Sequence, residues 1–284
     1  MARGRARAVA VILAGTAALT LSGCTDQVER GWLPTDRHTT NQTSMVMDLW
    51  NGSWVAALLV GVLVWGLIIW VMIAYRRRRN DTGMPPQVRY HLPLEIMYTA
   101  IPMMMVAVLF GYTYQAQAAE ISTDARPDLT IGVVAKQWSW DFNYLNDNVY
   151  DTGVQGQLTG KPGVQQEVPT LYLPVGQRVQ FNLTARDVIH SFWIPAFLMK
   201  MDSIPGIQNK FQVVPQRIGD FRGKCAELCG EYHSEMLFNV KVVSRADYDA
   251  HIAELRAKGQ TGYLPTDLGR SGLTPGTAAV EGNG

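Results

Sequence analysis

The chain has 284 residues, a formal net charge of +1 and a hydrophobic fraction of 47%. This length allows one large domain or two small ones. The near-neutral charge gives no support to a nucleic-acid-binding protein, which usually shows a basic patch or stripe. The three cysteines, Cys24, Cys225 and Cys229, are an odd number, so they cannot all pair within the chain.

The first 24 residues read MARGRARAVAVILAGTAALTLSGC. Three arginines precede an apolar run that ends in small residues, which is the pattern of a secretory signal peptide. The final LSGC resembles the lipobox of bacterial lipoproteins; the alternative is an ordinary export signal with an incidental cysteine. We predict a lipoprotein-type signal peptide over residues 1–23, lipidation of Cys24, and a polar extracytoplasmic leader over residues 24–53.

Two uncharged apolar segments follow. Trp54–Tyr75 is long enough to cross a hydrocarbon core of about 30 Å, and the arginines Arg76–Arg79 directly after it mark the cytoplasmic side of the membrane. A second span covers Ile96–Ala116. We predict a transmembrane α-hairpin of two helices over residues 54–118, whose outer ends both lie outside the cytoplasm.

Glu95 stands immediately before the second span. A carboxylate at this position is most simply explained by the polarity of the membrane interface. Ionisable residues at membrane depth are also candidates for function, for example in proton transfer. The residues alone leave both interpretations open.

From Leu129 the pattern changes to short runs rich in β-branched and aromatic residues, such as LTIGVVAKQWSWDFNY, TLYLPVGQRVQFNLTA, KFQVVPQRIGDFRG and MLFNVKVV. Turn signals separate these runs, which indicates an all-β sandwich or barrel. Residues 145–168, rich in Gly and Gln, are predicted to form a long loop or hairpin. A short helix and a disordered tail are predicted after about Val243.

The segment CAELCGEYHSEM, residues 225–236, places two cysteines, a histidine and a methionine four, four and three residues apart. Exported cysteines usually form disulfides, and the cysteine pair alone is as compatible with a disulfide as with metal ligation. Two thiolates, an imidazole and a thioether form a soft ligand set that favours copper. Zinc is the main competitor, although methionine is not among its usual ligands.

A second imidazole is available upstream. His190, in DVIHSFWIP, is predicted to lie at the end of a strand. A single-copper blue site uses one cysteine. Two cysteines with two histidines and a methionine instead fit two copper ions with both thiolates bridging.

The membrane hairpin, KQWSWDF, DVIHSFWIP and CAELCGEYHSEM together resemble subunit II of the haem–copper cytochrome c oxidases. The resemblance covers about Trp54–Val243. It implies an all-β cupredoxin-like Greek-key domain over residues 119–244, with a short helix and disordered tail over residues 245–284. The lipobox, the 145–168 insertion and the tail resemble bacterial, actinobacterial versions of the family.

The resemblance implies a dinuclear copper centre, called CuA, in which two cysteines bridge the coppers and each histidine ligates one. The methionine would be a weak ligand of one copper and the backbone carbonyl of Glu227 a weak ligand of the other. The Glu227 side chain would also reach a magnesium ion shared with the catalytic subunit. The implied copper ligands are His190, Cys225, Glu227, Cys229, His233 and Met236.

The resemblance further implies that electrons from cytochrome c enter through Trp138, whose neighbour is Trp140. Without the family resemblance, both tryptophans are equally well explained as aromatic residues of the hydrophobic core. Glu95 aligns with the glutamate at the mouth of a proton channel in the catalytic subunit. Asp141 follows Trp138, but acidic residues around it are sparse, so a docking face for a basic soluble cytochrome c is not evident.

The implied function is to accept electrons at CuA and pass them to haem in the catalytic subunit, where O2 is reduced and protons are pumped. The chain would be an enzyme only as part of that oxidase, in a bacterial plasma membrane, with the copper domain on the extracytoplasmic face. The implied partners are subunits I and III, the lipid membrane, and cytochrome c or the cytochrome c portion of a bc complex.

Nucleic acid is not expected as a ligand, because the net charge is near neutral. No haem is expected on this chain either, since a fused c-type haem would need a Cys-x-x-Cys-His motif, which the sequence lacks. Three alternatives differ in class. One is a quinol-oxidase-type subunit II, which lacks the copper ligands. The others are a copper-binding module without electron transfer and a structural lipoprotein whose cysteines form a disulfide.

Overall fold

The computed structural model describes residues 26–78, 83–84, 87–153 and 168–266. The predicted signal peptide and lipidated Cys24 lie outside the described residues. So do Arg79, most of the predicted 145–168 loop, and the last part of the predicted tail.

Within the described residues, three helices precede the β-domain: α1 (Asp26–Glu29), α2 (Thr43–Ala74) and α3 (Leu92–Ile121). By length and composition, α2 and α3 are the two described helices that are long and apolar enough to cross a membrane. Their large apolar side chains are exposed along most of both helices. Because continuous apolar surface of this kind is rare on soluble monomers, it indicates contact with lipid or with other membrane segments.

The chain divides into two compact units. One contains Met45–Gln117, and with it most of both apolar helices. The other joins Leu33–Ser44 to the residues from Ala118 onward. In this second unit, Asn41 donates its backbone N–H to the carbonyl of Val214 at 3.0 Å, so the leader segment is bonded to the β-domain.

The described part of the β-domain contains ten strands: β1 (Leu129–Lys136), β2 (Ser139–Tyr144), β3 (Val149–Thr152), β4 (Thr170–Pro174), β5 (Val179–Ala185), β6 (His190–Ile194), β7 (Met199–Ser203), β8 (Asn209–Val213), β9 (Gly219–Cys225) and β10 (Leu237–Val243). They form two five-stranded sheets, with orders β3-β2-β1-β5-β8 and β4-β10-β9-β6-β7. The β1–β5 and β4–β10 pairs are parallel. The predicted all-β, cupredoxin-like fold class is confirmed.

Aromatic side chains fill the space between the sheets. Trp140 is fully buried and packs edge-on against Phe192 and Phe238, with ring centroids 5.6 and 5.3 Å apart. Phe192 and Phe238 stack on each other at 4.8 Å. Strands β5 and β10 alternate buried and partly exposed residues, as expected where one face of a sheet is in the core. This packed layer supports the end of the domain that carries the candidate ligands.

The structure places His190 at the first position of β6, whereas the sequence predicted the end of a strand. The preceding strand, β5, ends at Ala185, and the chain turns at Asp187 before β6 begins. Asp187 bonds to its own turn and to another loop, which ends the earlier strand before His190 is reached.

The terminal helix α4 (Arg245–Ala257) begins where Ser244 accepts a hydrogen bond from the backbone N–H of Asp247, an N-cap. After α4 the chain runs back along the first sheet, where Leu264 donates its N–H to the side chain of Asn143 at 2.9 Å.

Candidate metal centre

Sheet register brings the distant histidine to the cysteine segment. Strand β6 pairs with β9 through Phe192 and Cys225. Because alternate residues of a strand share a face, His190 points the same way as Phe192, into the sandwich. Two backbone bonds hold the start of the ligand loop, residues 225–236: Cys225 N–H donates to the Met236 carbonyl, and Ala226 N–H donates to the Ser191 carbonyl, both at 3.0 Å.

The soft side chains of His190, Cys225, Cys229, His233 and Met236 converge near the start of the ligand loop and form one cluster. The Sγ atoms of Cys225 and Cys229 are 3.8 Å apart. Nδ1 of His190 lies 3.8 Å from Sγ of Cys225, and Nδ1 of His233 lies 3.6 Å from Sγ of Cys229. The Met236 sulfur is 3.9 Å from Sγ of Cys229. The Sγ atom of each cysteine therefore faces the Nδ1 atom of a different histidine.

Both cysteines are free and buried. Their separation of 3.8 Å is far from the S–S bond length of about 2.05 Å. Ligand atoms of His190 and the two cysteines all lie within 4.8 Å of one another, a spacing that allows them to share a metal ion. Thiolates and imidazoles suit copper and zinc, and the adjoining thioether favours copper. The residues present therefore fit a copper site.

The two thiols have opposite electrostatic environments. Burial raises the pKa of Cys225, but the hydrogen bond with His190 and backbone hydrogen bonds outweigh it, and the pKa falls to about 6. Burial, together with the nearby Cys225 charge, raises the pKa of Cys229 to about 12. Two thiolates this close repel each other unless a cation neutralises them, so binding a metal here would release a proton.

A carboxylate sets the orientation of His190. Oδ1 of Asp187 is 2.8 Å from Nε2 of the ring. Because an ionised carboxylate only accepts hydrogen bonds, Nε2 carries the proton and Nδ1 is left to face Cys225. Burial lowers the pKa of His190, but the bonds to Asp187 and Cys225 more than compensate, and its pKa is raised. Carboxylate–histidine pairs of this kind commonly orient metal-ligating histidines.

Glu227 presents its backbone and its side chain to different surroundings. Its carbonyl oxygen is 3.2 Å from Sγ of Cys225, inside the cluster. Its side chain is exposed, as are those of Glu231 and Glu235 on the same loop. The sequence did not connect these three acidic residues with a docking face.

Trp138 and Trp140 have different environments. Trp140 is fully buried, and its indole N–H donates to the Met236 carbonyl at 3.3 Å. Trp138 is only partly buried, in the turn between β1 and β2. It lies against the ligand loop, with its ring centroid 5.2 Å from that of Tyr232 in an edge-on arrangement.

Asp141 is fully buried, so its side chain is not part of a docking surface. It accepts hydrogen bonds from Lys136 at 2.6 Å, Arg186 at 2.7 Å and Thr152 at 2.5 Å. The sequence indicates only that acidic residues around Asp141 are sparse.

Glu95 lies in the first turn of α3 and is not among the soft side chains that converge near Cys225. Its Oε1 accepts the backbone N–H of His91 at 2.9 Å, and Nδ1 of His91 in turn accepts the N–H of Leu94 at 3.3 Å. These reciprocal bonds satisfy backbone donors that a helix start leaves without intrahelical partners.

The sequence missed two residues that contact the cluster, Asp187 and Gln137. Asp187 precedes His190 by three residues, and a carboxylate so near a candidate ligand could have signalled its role. Gln137 gives no local signal, because its partner, Cys229, lies 92 residues away.

Residues 129–243 match the family described as "Cytochrome C oxidase subunit II, periplasmic domain". The "Probable cytochrome c oxidase subunit 2" of Streptomyces coelicolor is 44% identical over an alignment of 301 positions, and the match covers 94% of this chain and 92% of that protein. The "Cytochrome c oxidase subunit 2" of Mycobacterium bovis is 32% identical and covers 92% of this chain and 84% of its own length.

The crystal structure of the periplasmic domain of subunit II of cytochrome oxidase (CoxB) of Bradyrhizobium japonicum is 30% identical, covering 47% of this chain and 97% of that chain with a TM-score of 0.42. The two sequence relatives match nearly the whole chain, membrane segments included, and confirm the resemblance to actinobacterial members. The chain belongs to the cytochrome c oxidase subunit II family.

Proposed function

We propose that this chain accepts electrons from a c-type cytochrome and passes them to the catalytic subunit of a respiratory oxidase. The observation that carries the proposal is the pair of free, buried cysteines, each facing the Nδ1 atom of a histidine. When bound, a dinuclear copper centre would supply reversible one-electron transfer. O2 reduction and proton pumping would take place on the catalytic subunit.

The chain's own residues would have distinct roles at the centre. Cys225 and Cys229 would bridge two copper ions, and His190 and His233 would each ligate one. Weak ligands would come from the Met236 thioether and the Glu227 carbonyl. The exposed Glu227 carboxylate is then free to hold a magnesium ion at the boundary with the catalytic subunit. Because Cys225 and Cys229 are buried, water would be excluded from the thiolates. The surrounding packing would also limit movement of the ligands when the charge of the metal centre changes.

Trp138 is the residue we propose as the point at which electrons enter, because it is partly exposed and touches the ligand loop. The exposed acidic side chains of that loop, Glu231 and Glu235, favour a basic donor. The donor would be cytochrome c or the cytochrome c portion of a bc complex. We propose Glu95 as the entrance of the proton channel in subunit I, a role compatible with its capping bond.

The proposed arrangement in the membrane is a two-span protein of the bacterial plasma membrane, assembled with subunits I and III. Arg76–Arg79 would face the cytoplasm, and the β-domain would lie outside. Residues 1–23 would be removed, and Cys24 would be lipidated. Metabolic labelling with a fatty acid tests the last point, since Cys24→Ser should abolish incorporation of the label.

The test of the copper centre uses the full chain in detergent, loaded with copper. We expect a delocalised mixed-valence EPR signal and two coppers per chain. His233→Ala should abolish that signal. A folded wild-type chain that stays colourless, as a quinol-oxidase-type subunit would, contradicts the proposal, and so does a mononuclear blue spectrum.

A further inference from the structure

We propose that Gln137 is a positioning residue that holds Trp138 against the ligand loop and so sets the rate at which electrons reach the metal centre. The inference rests on the proposed function. In this inference, the rate of electron transfer depends on a contact between the β1–β2 turn and the ligand loop, two segments that are distant in sequence.

Gln137 contacts two parts of the centre at once. Its side-chain amide donates to the backbone carbonyl of Cys229 at 2.7 Å. Its backbone N–H donates to Oδ2 of Asp187, also at 2.7 Å, and the other oxygen of that carboxylate holds His190. The residue directly before Trp138 is therefore bonded both to a bridging cysteine and to the group that orients a histidine ligand.

Trp138 has no polar anchor of its own. Its indole Nε1 is buried, yet within the described part of the chain it has no hydrogen-bond partner. The ring is held by packing alone, against the core, Tyr232 and the backbone of Gly230. The directed contacts that fix this turn to the ligand loop thus come from the neighbouring Gln137.

Gly230 permits the close approach of the two loops. A Cβ atom added at this residue would lie 3.0 Å from Cζ2 of Trp138 and 3.2 Å from Nε2 of Gln137. Its φ of +128° is also a backbone conformation that residues other than glycine rarely adopt. The loop is therefore shaped to receive both Trp138 and the Gln137 amide.

This geometry matters for electron transfer because electronic coupling falls steeply with distance, and more steeply across a gap than along bonds. Gln137 closes a short connection from the Trp138 backbone through one hydrogen bond to Cys229. Without that bond the turn can move away from the loop while the metal ligands stay in place. The ligands themselves are held independently, by Asp187 and by the β6–β9 pairing.

The test replaces Gln137 with methionine, which has nearly the same shape but no N–H donor. Each variant replaces the native copy, and native membranes supply the donor, with NADH as the electron source. The delocalised EPR signal and copper content should be unchanged. Re-reduction of the copper centre after an oxygen pulse should slow by about fivefold, the population change for one lost hydrogen bond of about 1 kcal/mol. Gln216→Met, at an exposed glutamine, should behave as wild type.

A double-mutant cycle separates positioning from general damage. If Gln137 acts through Trp138, then Gln137→Met should cause no further slowing in a Trp138→Phe background. Gln137→Asn keeps the amide but shortens its reach, so re-reduction of the copper centre should also be slow in this variant. It replaces Gln137→Met in the test if the methionine variant does not fold.

An unchanged re-reduction rate in a folded Gln137→Met protein would overturn the inference, as would full slowing in the Trp138→Phe background. Loss of the EPR signal in the variant alone would mean that Gln137 builds the centre. Absence of the signal from wild type would instead refute the proposed function.

Discussion

Oδ1 of Asp187 lies 2.8 Å from Nε2 of His190, and this contact decides which ring nitrogen faces the cysteines. The opposite nitrogen, Nδ1, lies 3.8 Å from Sγ of Cys225. A neutral ring with its proton on Nδ1 would have no lone pair to offer on the side of the cysteines, and the bond to Asp187 places the proton on Nε2 instead. Asp187 thus determines the chemistry of His190 although it need not touch a metal.

The first prediction concerns this carboxylate. Asp187→Ala should weaken copper binding by about 10–100-fold, as is usual when a partner that orients a histidine ligand is removed. Competition with a copper chelator measures the change in the full chain. Asp220→Ala, at an exposed aspartate of β9, is the matched control and should bind copper as wild type does. Equal affinities for both variants would contradict the role of Asp187.

The second prediction concerns Met236, which is fully buried. Met236→Leu keeps a similar volume, so the metal-free protein should lose less than about 1.5 kcal/mol of unfolding free energy. The copper-loaded variant should keep both coppers but show a shifted absorption spectrum and reduction potential, because only the thioether ligand is lost. Denaturant titration and potentiometry give the two values. A spectrum and potential identical to wild type would show that Met236 is a packing residue only.

The third prediction concerns the buried ion pairs of Asp141. Asp141→Ala leaves Lys136 and Arg186 without their carboxylate partner, at sites where their side chains are only 14% and 18% exposed. Removing one partner of a buried pair destabilises proteins by about 3–5 kcal/mol, and we expect the lower end because both cations reach solvent.

Denaturant unfolding of the metal-free chain, followed by tryptophan fluorescence, measures that loss. Glu254→Ala breaks an exposed helical pair with Lys258 and is the control, since such pairs contribute little. A loss for Asp141→Ala no larger than that of the control would show that the buried charges do not depend on each other.

The fourth prediction concerns pH. Burial lowers the pKa of His251 to about 4, against the opposing charge of Glu254. The ring stacks on Tyr172 at 3.7 Å, and Lys241 and Lys258 add to the lowering. Above about pH 6.5 the ring is neutral in both the folded and unfolded states, and its full contribution to the free energy of unfolding is present. As the pH falls from there towards 4, the unfolded state gains a proton that the folded state excludes, so stability falls.

His251→Phe keeps the stack but cannot titrate. Between neutral pH and about pH 4.5, wild type should lose about 2 kcal/mol more unfolding free energy than this variant, allowing for partial screening by solvent. Denaturant unfolding at several pH values measures the difference. His38→Phe, at an exposed histidine, should retain the wild-type pH dependence. Parallel curves for wild type and His251→Phe would contradict this assignment.

Local pattern predicted much of this protein. The two apolar runs require no tertiary information, because a span of about 20 apolar residues is specified by length and hydrophobicity alone. The four-four-three spacing of Cys225, Cys229, His233 and Met236 is likewise local, since the chain between them is too short to separate them far. Alternating β-branched residues predicted strands such as β5 and β10 in the same way.

The contacts across long sequence separations were decided by the tertiary structure. His190 meets Cys225 only because β6 pairs with β9, a register that neither segment specifies by itself. The burial of Asp141, the Gln137 bond to Cys229 and the exposure of Trp138 also depend on how the two sheets and their loops pack. The sequence by itself therefore determined which ligand types are present and that the chain carries two apolar spans. Folding decided that Nδ1 of His190, the carbonyl of Cys229 and the indole of Trp138 lie close to the ligand loop. These contacts are set by strand pairing and by packing between residues far apart in the chain.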